Sequence, residues 1–452
     1  MRFPWRVLLF VSIFAIEASV AVVRDGNVPP VVGDSAEVHN IAYNLAHGRW
    51  YKFDWNDQRW RALWQTPNND GRFDFIVLRT GSYPTMFRPP LMPVLVAGIL
   101  GLFPNNSFVA WRIFDSAAFA VAACLLCDVT FVHGGTVGLV AMLALLLGEP
   151  VRRQFVPGWW TEGLAFDLVS CVVWLAARGS RIRDLRYVAC AGVVLGLLCL
   201  DRPVFVLVTP IFCLALAAAH SRSTSAIFKM ALGMLLLSIL VQAPWFARNI
   251  AVSGRMLPMG TQGGYNAPDD YGDLALANRG SWTGQGILNA WLPPSGTNSL
   301  IAIPPGYTKE SFGSLWSTGF TDLRYGALIY AAVCTSLQSE IAVSDAGQQA
   351  ATAWLRVNYS KVPKLMVEKA ITLTRFERPF LAAAAALCMV GFFYLPELRI
   401  TILCIGLLIA GCVLSVMLTH VVFYRFLIPL LPPLYTGVAL GFVAIARLRR
   451  LA

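Results

Sequence analysis

Apolar runs recur along this chain from one end to the other, and nothing else in the sequence constrains its fold so tightly. They fall at 7–23, 91–103, 108–131, 135–148, 163–177, 187–200, 203–219, 226–245, 380–395, 400–419 and 426–445. A helix needs about 20 apolar residues to cross a bilayer core. In lipid, its backbone polar groups must also be satisfied within the segment. The fold class expected is therefore an all-α integral membrane protein, a multi-pass helical bundle with an extracytoplasmic loop region. Composition agrees. Of 452 residues, 57% are hydrophobic and 13% charged, where soluble domains carry roughly 25% charged residues. The net charge of +11 reads as basic loops kept on the cytoplasmic side, and no nucleic-acid partner is expected.

Charge also orders the runs. Arg2 and Arg6 place the N-terminus inside, as do "RGSRIRDLR" (178–186) for its loop and "RLRR" (447–450) for the C-terminus. The run Val7 to Val23 is expected to be an uncleaved first span. Glu17 within it argues against a signal core, while Ser19 and Ala21 keep a cleaved signal as the alternative. Counting from both ends puts 24–90, 149–162, the tip "DRP" (201–203) and 246–379 outside. Residues 90 and 162 then share a side, so one of the three runs between them does not span. The run 135–148, about 14 residues long and ending at Glu149-Pro150, is expected to be that partial helix. The result is about ten spans plus one partial helix. Three regions follow: an N-terminal transmembrane module 1–245 whose first outer loop is 24–90, an outer loop region 246–379, and C-terminal helices 380–452.

The first outer loop opens with "GDSAEVHNIAYNLAHGRWY" (33–51). Val38, Ile41, Ala42 and Leu45 repeat at i, i+3, i+4 and i+7, which predicts a short amphipathic helix over 34–47, stopped by Gly48. Its stripe is expected against lipid or other helices at the membrane surface, with the aromatics of "RWYKFDW" at the interface. Asp34 and Glu37 have two compatible readings. They form a capping box, or Asp34 is a general base at the bilayer surface. In the second loop, 346–376 reads as two short helices broken at Pro363.

No metal or nucleophile motif is present: the five His are scattered and HExxH, EF-hand, GxSxG and Walker patterns are missing. Cys124 and Cys127 form a lone CxxC inside an apolar run and read as packing. Cys334 stands by itself in a polar loop, so no disulfide framework is expected. Four arginines sit beside proline at outer helix ends: Arg88 in "FRPPL", Arg202 in "DRPV", Arg248 in "PWFARN" and Arg425 in "FYRFLIP". Arg375 and Arg378 precede the run at 380. Each alone reads as a snorkelling residue. Together on one face they suit an anionic phosphate headgroup, which guanidinium forks fit well.

The ordered set "GDSAEVHNIAYNLAHGRWY", "FRPPLMPVLVAGILGLF", "GWWTEGLAFDLVSCVVWL", "GLLCLDRPVFVLVTP", "PWFARNIAVSGRMLPMGTQGGYN" and "FYRFLIPLLPPLY" resembles the GT-C-fold polyprenyl-phosphate-sugar glycosyltransferases. That clan holds the protein O-mannosyltransferases and lipid A aminoarabinose transferases. The resemblance implies a GT-C-type bundle in the plasma (inner) membrane, both termini cytoplasmic and the active site outside. It implies a polyprenyl-phosphate sugar donor and a glycan, lipid or protein acceptor. The acceptor hydroxyl or amine attacks the anomeric carbon and polyprenyl phosphate leaves with inversion. Asp34 matches the family's catalytic acid, with Glu37 beside it. Arg88 matches the basic residue before Pro-Pro that meets the donor phosphate, and Arg202, Arg248 and Arg425 are further candidates for that charge. Glu162 matches an acidic residue near the cavity that positions a sugar hydroxyl. Many members carry an acidic pair at the catalytic position. Here Ser35 follows Asp34 and Glu37 comes three residues later, so a divalent cation is not indicated and no cofactor is assigned. Two other readings stand beside this one: a transporter or flippase of a lipid-linked sugar, and an inactive relative. A transporter is expected to show internal helix repeats, which the sequence lacks.

Overall fold

The computed structural model describes residues 4–29, 33–64, 80–148, 161–182, 185–281, 334–375, 378–395, 398–419 and 424–451. The expectations for 149–160 and for the middle of the second outer loop, 282–333, lie outside these residues. The chain runs through α1 (Pro4–Asp25), α2 (Gly33–Ala46), α3 (Gln58–Trp64), α4 (Leu91–Leu102), α5 (Ser107–Gly148), α6 (Thr161–Ile182), α7 (Leu185–Asp201), α8 (Thr209–His220) and α9 (Thr224–Ser253). Short α10 (Gln262–Asp270) and α11 (Asp273–Ala277) follow, then α12 (Leu337–Asn358), α13 (Val362–Arg375), α14 (Arg378–Tyr394), α15 (Arg399–Thr419) and α16 (Leu431–Leu451). The described sheet is a two-stranded antiparallel ribbon, β1 (Lys52–Asp54) on β2 (Ser82–Pro84), with Phe53 opposite Tyr83.

Among the described residues, five helices are long and apolar enough to cross a membrane by length and composition: Trp5–Asp25, Ser107–Gly148, Thr224–Ser253, Arg399–Leu418 and Arg425–Arg449. Other expected spans do form helices: α6, α7, α8 and α14 have 22, 17, 12 and 17 residues. They are either short for a crossing or charged near their ends.

Helix α5 merges two expected runs across a turn at Gly135 (φ 57, ψ −140), a conformation open to glycine. Its first arm lies antiparallel to α1. At one end Arg112 donates to the Gly26 carbonyl and, at 2.7 Å, to that of Val28. At the other end Arg6 pairs with Asp128, and the Trp5 and Phe131 rings lie 5.0 Å apart. The second arm returns along α16: Gly134 abuts Val443, and Leu145 packs with Leu434 and Val438. Helix α4 behaves differently. It starts just after Arg88 and ends at Phe103, beside Asn105, whose carbonyl accepts a hydrogen bond from Asn27 at the end of α1. Its buried residues Met92, Val96, Ile99 and Leu100 join the outer cluster of Trp60, Trp64 and Phe108. Both ends of α4 therefore lie on the side where α1 ends. The helix whose two ends share a side is thus the run 91–103, whereas 135–148 was the run expected not to span. The turn at Gly135 decides this, since the two runs are of similar length.

Two further boundaries move. Helix α9 does not stop near 245 but carries Pro244 within it and continues to Ser253, where Gly254 (φ 67) ends it. The break between α12 and α13 falls at a 3₁₀ turn over Tyr359–Lys361. Pro363 instead occupies the first turn of α13, where its missing N–H costs nothing.

One hydrophobic core lies between the bundle helices, around Phe119, Phe166, Leu195, Phe212, Leu408 and Tyr435. A second lies under the segments 33–64 and 80–90, around Ile41, Trp55, Trp60, Trp64, Met86 and Trp111. Helix α2 sits in the second. Of the two expected partners for its stripe, lipid or other helices, the structure gives the second, and the helix is covered more fully than a surface helix would be: every residue from Ser35 to Ala42 is buried. The apolar stripe does face the core, but its polar side is covered too. Asn40 bonds both backbone groups of Asp54, donating to its carbonyl at 3.0 Å and accepting from its amide at 2.8 Å. His39 Nδ1 accepts from the indoles of Trp60 (2.9 Å) and Trp64 (3.0 Å). Burial pushes that imidazole down to about 3, so it stays neutral and can accept both.

Candidate active site

Arg88 is placed by the two prolines that follow it. A residue before proline is driven to extended backbone, and Pro90 caps α4. The guanidinium reaches back to the first turn of α2. Nε donates to Glu37 Oε2 at 2.5 Å, and Nη2 donates to Asp34 Oδ1 at 2.5 Å. Residues three apart on a helix share a face, so one arginine meets both carboxylates. Helix α2 begins at Gly33, ahead of Asp34. Asp34 therefore lies inside the first turn, and its carboxylate goes to guanidiniums, not to the cap position of the expected box.

Two more segments close the network. Arg425, from the 3₁₀ turn Tyr424–Leu430, donates through Nη2 to Asp34 Oδ2 at 3.1 Å, and its Nε lies 3.4 Å from Glu162 Oε1. Arg202, ahead of the 3₁₀ turn Pro203–Leu207, lies 2.7 Å from Glu162 Oε1 and donates to Thr161 Oγ1 at 3.3 Å. The Phe426 ring lies under both guanidiniums, 5.0 Å from that of Arg202 and 5.3 Å from that of Arg425. Glu37, Arg88, Asp34, Arg425, Glu162 and Arg202 thus form one unbroken chain of opposite charges. The open end of the site lies at the middle of that chain, as exposure shows. The Asp34 side chain is 34% exposed and that of Arg425 16%, whereas Glu37, Glu162 and Arg202 are at 6% or less.

The electrostatics follow. Burial works to raise the Asp34 carboxyl, but the Arg88 and Arg425 guanidiniums outweigh it and hold it well below the usual carboxylate range. Burial works to lower Arg88, and Asp34 and Glu37 more than reverse that, so it stays charged. Among the described residues of this chain three guanidiniums pair with three carboxylates, so an anion entering here competes with a carboxylate for a guanidinium. A general base works best with a pKa near the operating pH. Asp34 between two arginines is a weak base until one of them finds another partner. Among the described residues no group of three or more His, Cys, Asp or Glu side chains is placed to hold a metal ion.

Arg248 is not brought to this network. The continuation of α9 past Pro244 turns it to the loop backbone, where it donates to the carbonyls of Thr85 (2.7 Å) and Tyr51 (2.8 Å). Its guanidinium also lies over the Tyr51 and Trp245 rings. Tyr51 in turn donates its hydroxyl to the Arg88 carbonyl at 2.7 Å. Arg248 therefore supports the backbone of Arg88 from behind. The side chains of Arg375 and Arg378 lie outside the described set. The sequence reading missed Phe426, Tyr51 and Thr161, and also Asp201. Asp201 is 1% exposed, has no hydrogen-bond partner on either carboxyl oxygen among the described residues, and interacts with the charges of Arg202 and Glu162. Phe426 and Asp201 had a signal, since each is the immediate neighbour of a singled-out arginine.

No family model matches the chain, and no curated protein does. Among solved structures it is similar to the crystal structure of ArnT from Cupriavidus metallidurans bound to undecaprenyl phosphate, at 12% sequence identity and a TM-score of 0.44, over 99% of this chain and 79% of that one.

Proposed function

We propose that the chain is an inverting membrane glycosyltransferase that moves a sugar from a polyprenyl-phosphate donor to an acceptor hydroxyl or amine on the outer face of the membrane. One observation carries the reading: Arg88, Arg202 and Arg425, from three distant segments, converge on Asp34, Glu37 and Glu162 at the edge of an apolar helical bundle. Guanidiniums are suited to a phosphate, and the bundle is suited to its lipid tail. A carboxylate at the open end is suited to an acceptor proton.

The steps follow from the charge balance. The donor phosphate enters at the open end and takes Arg425, whose contacts to Asp34 and Glu162, at 3.1 and 3.4 Å, are the longest in the network. Asp34 then keeps Arg88 alone and becomes more basic. The acceptor oxygen or nitrogen attacks the anomeric carbon, the bond from that carbon to the phosphate oxygen breaks, and Asp34 takes the acceptor proton. Charge grows on the departing phosphate, where fixed guanidiniums stabilise it. Glu162, 2.7 Å from Arg202 in the free protein, holds a sugar hydroxyl. Donor binding thereby raises the basicity of the base.

The test is Asp34→Asn in proteoliposomes loaded with a polyprenyl-phosphate sugar. The expected result is donor binding retained and transfer lost. Transfer at the wild-type rate would remove Asp34 from the chemistry. Movement of the donor between leaflets without any transfer, in the wild-type protein, would make the chain a transporter instead.

A further inference from the structure

The outer helix α12 carries Glu340, which is 1% exposed and outside the network of charges. Its carboxylate binds the segment that presents Arg88. Oε1 accepts from the Met86 amide at 2.9 Å and from the Thr261 hydroxyl at 2.7 Å, while Oε2 accepts from the Thr85 hydroxyl at 2.7 Å. Thr85 passes the constraint on, since its Oγ1 accepts from the Phe87 amide at 3.1 Å. On the other side of the same segment, Arg248 holds the Thr85 carbonyl and Tyr51 holds that of Arg88. The Thr261 amide bonds the Met86 carbonyl at 3.3 Å. Gly260 (φ +84) lies so close that a Cβ there would sit 2.1 Å from the same carbonyl oxygen. Residues 85–88 are thus clamped between α9, the 260–261 turn and α12. From α12, Glu340 joins the segment to the turn with one side chain: residues 85 and 86 of the segment, and Thr261 of the turn. A carboxylate accepting several hydrogen bonds in a dry site holds its partners in a fixed geometry.

We propose that Glu340 is a positioning residue that sets Arg88 in register for the donor phosphate, which makes α12 a working part of the transfer site. The proposal rests on the reading that Arg88 binds that phosphate. Of the hydrogen bonds that Glu340 accepts from Thr85, Met86 and Thr261, two go to residues 85 and 86, so it acts through the 85–88 backbone. Its effect on the donor must therefore pass through Arg88.

The experiment measures binding of a polyprenyl phosphate to the full-length protein in nanodiscs, with thermal unfolding followed in parallel. The variants are Arg88→Gln, Glu340→Ala, Glu340→Gln, Thr261→Val and the double variant Arg88→Gln/Glu340→Ala. The expected result is binding weakened about ten-fold or more by Glu340→Ala, with the double variant no weaker than Arg88→Gln alone. Glu340→Gln, which keeps one oxygen for Met86 and Thr261, stays within about three-fold of wild type. Thr261→Val, a milder change, covers the case in which Glu340→Ala does not fold, and it must weaken binding in the wild-type background but not in Arg88→Gln. Binding unchanged by Glu340→Ala, or effects of the two sites that multiply, would overturn the positioning role while leaving the donor site standing. Binding unchanged by Arg88→Gln would overturn the donor site, and the positioning role with it.

Discussion

Replacing Arg88 with alanine isolates the electrostatic core of the site. In the native protein one guanidinium pairs with two carboxylates, but the two are not equally placed. Asp34 is 34% exposed and keeps Arg425 as a second partner. The Glu37 side chain is 4% exposed. More of the damage in Arg88→Ala should therefore come from Glu37, which loses Arg88 in a dry site, than from Asp34. Removing one member of a buried ion pair costs about 3–5 kcal/mol. The cost falls on the buried carboxylate that loses Arg88, so neutralising Glu37 should recover most of it: Arg88→Ala/Glu37→Gln is expected within about 1–2 kcal/mol of wild type. Unfolding in detergent followed by tryptophan fluorescence reads this directly, because Trp55, Trp60 and Trp64 lie fully buried in the same outer core. Sugar transfer is expected to stay lost in both variants, which separates stability from chemistry. An Arg88→Ala protein as stable as wild type, or a double variant no more stable than the single, would refute the reasoning.

Arg425→Gln removes one of the two guanidiniums that hold Asp34 low. The Asp34 pKa then rises. A base works only when deprotonated, so the acid limb of the kcat/KM profile is expected to move to higher pH in this variant, and a limb that stays in place would exclude Asp34 as the titrating group. His39 gives a stability prediction. Its folded pKa is about 3, against an ordinary imidazole value of about 6.5. Between those values the unfolded chain binds the extra proton. Stability is therefore full above pH 6.5 and falls as the pH drops, by up to about 1.4 kcal/mol per pH unit. The comparison is denaturant unfolding at pH 7 and pH 5 with His39→Gln, which is expected to lose that slope.

The elements were mostly legible in the sequence because apolar runs of this length leave few alternatives. What was not legible depended on chain direction and on distant partners. Runs 91–103 and 135–148 have similar lengths and compositions, and what separates them is the turn at Gly135, marked in the sequence only by two adjacent glycines. Pro244 looked like the end of α9. Proline is tolerated inside membrane helices, where neighbours re-satisfy the freed carbonyl, and the two extra turns carried Arg248 away from the site. The burial of α2 was hidden for a related reason. Its period identified the apolar face correctly, but a period cannot show what covers His39, Asn40 and Asn44. Their partners, Trp60, Trp64 and the backbone of Lys52 and Asp54, come later in the chain.

The site divides in the same way. Asp34, Glu37, Glu162, Arg88, Arg202 and Arg425 were each visible as charges at outer helix ends, and five of the links between them now have distances or partners. What a list of charges hides is their sum. Four arginines read from the sequence suggest a strongly positive pocket waiting for phosphate. With Arg248 turned aside and three carboxylates in place, the same residues make a neutral network. A positive pocket would bind a phosphate whatever Asp34 was doing. In a neutral one, phosphate and carboxylate compete for the same guanidiniums, so binding the donor and freeing the base become one event. Under that coupling, Asp34→Asn should bind a polyprenyl phosphate more tightly than wild type, because the donor no longer displaces a carboxylate from Arg425. Equal or weaker binding by Asp34→Asn in nanodiscs would break the coupling, even with transfer abolished.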